Sequence, residues 1–181
     1  MLIEADKSAL LIIDVQEKLI RHIHNQQQVI DNCRWLMQIA ARFEIPTLLS
    51  EQYPKGIGPT TPELQELADS SQVMEKVRFS CVAEPGCRDK LDTLDRPQII
   101  IAGVEAHVCV LQTALELNDA GSQVFVVADA VGSRDPRNAE LALARMRFEG
   151  VRIVSREMVA FEWLHQAGTD RFREISKEFL R

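Results

Sequence analysis

The sequence predicts an α/β fold, a three-layer α/β/α arrangement around a six-stranded, mostly parallel, Rossmann-like sheet. Two observations carry this. Short runs of branched apolar residues without polar alternation recur along the chain, as expected of strands buried on both faces. Between them lie amphipathic patterns of about ten residues or more, long enough for right-handed crossovers between parallel strands. No repeat, low-complexity tract or linker interrupts this alternation, so residues 1–181 are expected to form one domain with an adequate core.

Ala9–Val15 reads as the first strand, and Asp14 falls at its end. Burying a carboxylate there costs several kcal/mol, of the order of ~3, unless it is paired. An Asp at a strand–helix junction also serves as a helix cap, and both readings stand on local sequence alone. Gln16, two residues on, is a candidate pocket residue. His22 and His24 read as a solvated turn rather than a metal pair. Val29–Phe43 is an amphipathic helix in which Val29, Cys33, Leu36, Ala40 and Phe43 recur at helical spacing, so Cys33 belongs to its core stripe.

Ile45–Ser50 is the second strand, with Pro46 tolerated at its start. The loop Glu51–Pro62 carries three prolines and two glycines and lies at the carboxyl side of the sheet, where substrate-contacting loops collect. Gln52 and Tyr53 read either as pocket lining or as loop surface. Thr61 is expected to cap a helix whose first position is Pro62. Val73–Phe79 is a third strand or extended segment. Its Lys76 is a solvated edge charge unless it points into the crevice of Asp14, and Phe79 is a further candidate pocket wall. Cys81 and Cys87 flank a turn at Glu84-Pro85-Gly86 and read as packing or surface thiols.

Gln98–Val110 is the centre of the chain. Ile99–Ile101 makes a buried strand ended by Ala102 and Gly103, and a helical pattern then runs to about Ala120, with Gly121 just beyond. Cys109 is thereby placed in the first turn of a helix, above the carboxyl end of a parallel strand. Reactive residues collect at such positions, and a helix N-terminus lowers a thiol pKa. Val124–Val127 is the fifth strand, with Asp129 just past its end as another pocket candidate. Ser133-Arg134-Asp135-Pro136 resembles a cap followed by proline in the first helical position. A helix from Arg137 to Gly150, a sixth strand at Val151–Val154 and a terminal helix bearing Phe172, Ile175 and Phe179 complete the alternation.

Hydrophobic residues make up 46% of the chain and charged ones 27%, as in ordinary globular proteins. The net charge of −6, without a basic run, argues against a nucleic-acid partner. The first residues lack the features of a signal peptide, and Ala9–Ile13 is too short to span a bilayer. A cytoplasmic location without membrane attachment is expected. The four cysteines have no zinc spacing and are expected to be free thiols. No metal or cofactor is expected.

Asp14, Lys76 and Cys109 all fall at strand ends, which share one rim in a parallel sheet. Together they suit nucleophilic catalysis. Cys109 would attack as a thiolate favoured by Lys76 and the helix N-terminus. Asp14 would take the thiol proton and return it to a leaving amine. Free N–H groups at the helix start would hold the oxyanion.

Three segments, Leu10–Gln16 (LLIIDVQ), Glu75–Ser80 (EKVRFS) and Gly103–Val110 (GVEAHVCV), resemble in order and separation those of the isochorismatase-like hydrolase superfamily. This superfamily includes cysteine hydrolases such as nicotinamidases and N-carbamoylsarcosine amidases. The loop Glu51–Gly56 (EQYPKG) is similar to that of its isochorismatase domain-containing subgroup. The resemblance implies catalytic roles for Asp14, Lys76 and Cys109, a cis peptide joining Val104 to Glu105, and an oxyanion hole at Glu105 and Cys109. It also implies a small-molecule substrate and assembly into a homo-oligomer.

Two departures narrow the expected chemistry. Metal-binding nicotinamidases carry an Asp-x-His pattern and further histidines after the second strand. Here the only histidines are His22, His24, His107 and His165, none of them in that loop. True isochorismatases cleave a vinyl ether and lack the nucleophilic cysteine, so Cys109 points to an amide, C–N or ester bond broken through a thioester. His107, two residues before Cys109, points about 200° away from it on a helix and is expected at a pocket edge or subunit contact. Glu105 is expected at the rim. A non-catalytic scaffold and a thiol redox sensor are the alternative functions.

Overall fold

Six strands form one sheet in a computed structural model that describes residues 1–180. They are β1 (Ser8–Ile13), β2 (Thr47–Gln52), β3 (Val73–Lys76), β4 (Gln98–Val104), β5 (Gln123–Gly132) and β6 (Arg152–Val154), arranged in the order β3-β2-β1-β4-β5-β6. Every neighbouring pair is parallel, so the sheet is wholly rather than mostly parallel. Strand order reverses between β1 and β4. A crevice opens at the carboxyl ends of strands at such a switch point, and Asp14 and Cys109 follow these two strands.

The connections are α1 (Glu17–Ile20), α2 (Gln26–Arg42), α3 (Pro54–Ile57), α4 (Pro62–Gln65), α5 (Pro85–Thr93), α6 (Leu111–Asp119), α7 (Pro136–Phe148), α8 (Arg156–Leu164) and α9 (Asp170–Phe179). Alternate residues of β1 serve opposite faces. Leu10 and Ile12 pack with α2, α8 and α9 through Leu36, Trp163 and Ile175. Ala9, Leu11 and Ile13 pack with α5, α6 and α7 through Leu91, Leu117 and Met146. Each fully buried Leu or Ile contributes about 1.5–3 kcal/mol. That two-sided burial explains why these strands read as unbroken apolar runs.

Several elements depart from their sequence-based bounds. The segment around Pro85 is not a turn but the start of α5, whose only buried side chains are Cys87 and Leu91. Two apolar positions in nine residues leave no legible stripe. β3 stops at Lys76, because the Glu84 carboxylate accepts the Val77 and Arg78 N–H groups and draws them away from the sheet. β5 continues to Gly132 through a register shift opposite Ile101–Gly103, which places Asp129 inside the strand rather than past its end. Thr61 holds the cap position of α4, yet its hydroxyl makes no cap bond and has no partner among the described residues. Asp135 does cap α7, accepting from Arg137 N–H with Pro136 in the first turn.

Candidate active site

The local backbone explains how Asp14 leaves the sheet. Its φ of 52° is left-handed, a conformation that Asp tolerates better than branched residues. The turn ends β1 while the Asp14 N–H still donates to Ser50 O at 3.0 Å. The carboxylate is fully buried and bound on both oxygens. Oδ1 accepts from Ser50 Oγ at 2.7 Å, and Oδ2 accepts from Lys76 Nζ at 2.7 Å. The side chains of both Asp14 and Lys76 are 0% exposed. Lys76 is therefore no edge charge; it closes β3 by turning its ammonium into the crevice.

Lys76 Nζ makes a second bond, to Gln52 Oε1 at 2.6 Å, and Cys109 Sγ lies 3.9 Å from that same oxygen. Cys109 is 5% exposed, whereas the Cys33, Cys81 and Cys87 residues are 0% exposed. It sits in a wide π-helical turn, Ala106–Val110, which runs directly into α6. The Val104–Glu105 peptide bond just before it is cis. Asp14, Lys76 and Cys109, three strand-end residues far apart in sequence, are thus brought into one buried cluster.

The electrostatics correct one expectation. Burial, reinforced by the charge of Asp14, raises the Cys109 thiol pKa, and Lys76 opposes this only in part. The thiol is therefore not lowered as its helix position suggested, because the ammonium that would have favoured a thiolate is neutralised by a carboxylate 2.7 Å away. Burial raises Asp14 as well, against the pull of Lys76 and Ser50. Burial disfavours the Lys76 charge, but the Asp14 and Cys109 charges outweigh it and raise that pKa. Cys81 is pushed up to about 11 and Cys87 to about 12, both chiefly by burial.

The other predicted pocket residues divide. Gln52 belongs to the cluster. Gln16 is fully buried, and its amide is taken up by Gln52 N, Gln52 O and Gly58 O, bonds that continue the link between β1 and β2 beyond Asp14. Tyr53 borders a cavity of about 300 Å³ that it shares with Lys55, Glu75, Lys76, Val77 and Glu84. Phe79 lies outside that lining and is 52% exposed, since its segment has left the sheet. Asp129 lines a different cavity, bounded also by His24 and Ser133. Its carboxylate accepts the Arg156 N–H at the start of α8.

Ser50 carries no signal in the sequence; it lies within β2, directly beside Ile13 in the parallel register. Glu105 is more than a backbone contributor: its buried carboxylate accepts from Arg134 N at 3.1 Å, Nε at 3.1 Å and Nη2 at 2.8 Å. Although burial opposes its charge, those bonds hold its pKa below the usual carboxylate value. His107, partly exposed, meets Ser133 Oγ at 2.9 Å through Nδ1.

The comparisons with known proteins agree with this architecture. The isochorismatase domain matches residues 8–158. The mouse isochorismatase domain-containing protein 2B is 38% identical over 173 residues, covering 95% of this chain and 80% of that protein. A structure described as the MAR1 ribonuclease from Caenorhabditis elegans superposes with a TM-score of 0.92 at 35% identity, covering 100% of this chain and 93% of that one. The YcaC gene product from Escherichia coli, described as an octameric hydrolase of unknown specificity, gives a TM-score of 0.88 at 26% identity over 92% of this chain and 83% of its own. A domain match spanning most of the sheet, joined to whole-chain similarity in sequence and fold, places the chain in the isochorismatase domain family.

Proposed function

We propose that this protein is a metal-independent cysteine hydrolase that cleaves a small amide or ester through a thioester on Cys109. The observation that carries the proposal is the buried Asp14–Lys76 pair at 2.7 Å beside the Cys109 thiol. Burying two charges costs several kcal/mol, of the order of ~3 or more, and a packed apolar pair would serve stability as well. A nucleophile next to the pair gives it a chemical purpose.

The reaction follows from the groups present. Asp14 removes the thiol proton as Cys109 Sγ bonds to the substrate carbonyl carbon. The raised Asp14 pKa makes that transfer less uphill from a thiol that rests protonated. The oxyanion is held by N–H groups at the start of the Cys109 helix, those of Glu105 and Cys109. Collapse breaks the bond to the leaving group, which takes the proton from Asp14. Water then attacks the thioester, Asp14 accepts its proton, and the departing sulfur recovers it as the acid is released. Lys76 stays protonated and offsets the negative charge that appears on sulfur or Asp14.

Three structural neighbours carry the name MAR1 ribonuclease. The net charge of −6 of this chain offers little to a polyanion, so we assign a small-molecule substrate instead. Following the octameric neighbour, we also propose that the chain forms homo-oligomers, which sedimentation equilibrium would refute by returning the monomer mass. Among the described residues no helix is long and apolar enough to cross a membrane.

The hydrolase reading is tested with a panel of small primary amides and their methyl esters. Ammonia or acid release is expected from the native protein, with loss of at least ~10³-fold in Cys109→Ala, as for removal of an essential nucleophile. Release that survives in Cys109→Ala, or a native protein inert to the whole panel, would refute it.

A further inference from the structure

Gln52 is held more firmly than a pocket side chain needs to be. It ends β2 and is 8% exposed. Its main chain is gripped on both sides by the Gln16 amide, which accepts from Gln52 N at 2.7 Å and donates to Gln52 O at 3.0 Å. Its side chain has only one workable orientation. Nε2 donates to Val77 O at 2.7 Å, and Oε1 accepts from Lys76 Nζ at 2.6 Å. A backbone carbonyl only accepts and an ammonium only donates, so turning the amide over would create two repulsive contacts.

The oxygen fixed in this way has two lone pairs. Lys76 takes one. The other faces Cys109 Sγ at 3.9 Å, a separation too long for a strong bond. Among the described residues this second lone pair is met only by the weak thiol donor, and it is released when the thiol gives up its proton and sulfur bonds to carbon.

From this geometry we infer that Gln52 determines leaving-group specificity: the lone pair released by the thiol accepts a hydrogen bond from an N–H of the departing group, so amides are taken in preference to esters of the same shape. The inference rests on the thioester chemistry proposed above. When sulfur bonds to a carbonyl carbon, the leaving atom is attached to that same carbon and comes within reach of an acceptor lying beside the sulfur. An amide nitrogen brings a donor. An ester oxygen brings only lone pairs, which repel the Gln52 oxygen and leave it unsatisfied. Sites that must hydrogen-bond one atom reject analogues lacking the donor far better than apolar pockets reject shape.

The test needs no knowledge of the natural substrate. Chloroacetamide and methyl chloroacetate lose the same chloride to a thiol and differ only in carrying NH₂ or OCH₃ on the carbonyl next to the attacked carbon. Rates of Cys109 modification in the full chain are followed by mass spectrometry, and the amide-to-ester ratio is divided by that for glutathione. A normalised ratio of about 10 is expected for the native protein, of the order of one hydrogen bond gained or left unmade. It should fall to about 1 in Gln52→Leu. Gln52→Glu keeps an acceptor and is expected to retain the preference while reacting more slowly with both reagents. A residue that only pins Lys76 would change both rates together and leave the ratio untouched. Circular dichroism confirms that each variant is folded. A native ratio near 1, or one unchanged in Gln52→Leu, overturns the inference while leaving the nucleophile intact. Failure of both reagents to modify native Cys109 overturns the hydrolase reading and this inference with it.

Discussion

Lys76→Met is expected to lower the unfolding free energy by about 3–5 kcal/mol at pH 8, because it strands a buried carboxylate without its partner. Methionine keeps most of the lysine volume, so the loss reports charge rather than a cavity. The pH dependence has a defined sign. Burial already raises Asp14, and the Lys76 charge opposes that shift; removing Lys76 moves the Asp14 pKa further up. An acid whose folded pKa exceeds its unfolded value of about 3.9 binds more protons when folded, so stability falls as pH rises from that value through the folded pKa. The deficit of the variant should therefore shrink at pH 5. The native protein also loses stability with rising pH at the alkaline end. Lys76, raised from 10.5, supports the fold below that pH, and the support is lost as pH climbs through its folded pKa. Urea unfolding of both proteins at pH 5 and pH 8 measures the gap, and other titrating groups cancel in the difference. A gap below ~1 kcal/mol at pH 8, or one that does not shrink at pH 5, would show that the pair is not what holds Asp14 ionised.

The same pair shows how far the sequence could be read. Asp14, Lys76 and Cys109 were legible because each breaks an apolar or helical pattern at a strand end, and a parallel sheet brings such ends to one rim. Their convergence is found in the structure as contact between buried groups. What could not be read depends on partners from elsewhere in the chain. Gln16 and Gln52 look alike in sequence, yet one spends its amide on the backbone while the other turns it to Lys76. The rise of the Cys109 pKa is hidden from the sequence for a related reason. Helix position can be inferred from the chain, but the neutralisation of Lys76 by Asp14 and the depth of burial are tertiary facts. Strand ends slipped where side chains intervene, as Glu84 does after Lys76.

Gly103→Ala is the second large effect, and it joins the fold to the site. Gly103 pairs with Ile13 across the switch point of the sheet, at a φ of 116°. A Cβ there would lie 2.1 Å from Ile13 O and 2.6 Å from Ile13 N, both backbone atoms that no rotamer change can move. Overpacking and a left-handed side chain each cost about 1–3 kcal/mol, so a loss of about 3 kcal/mol or more is expected. Gly121→Ala separates the two terms: its φ is 94°, but a Cβ would meet nothing within 4 Å. It should cost only ~1 kcal/mol, from backbone strain alone. The functional consequence follows from position. Ile13 immediately precedes Asp14, and Gly103 precedes the turn that carries Cys109, so separating β1 from β4 pulls base and nucleophile apart. Gly103→Ala should therefore slow Cys109 alkylation at temperatures where the protein is still folded, whereas Gly121→Ala should leave it unchanged. Equal losses of stability in the two variants would mean that the sheet tolerates a wider β1–β4 spacing. Unchanged alkylation in folded Gly103→Ala would mean that the spacing of these strands does not set the geometry of the site.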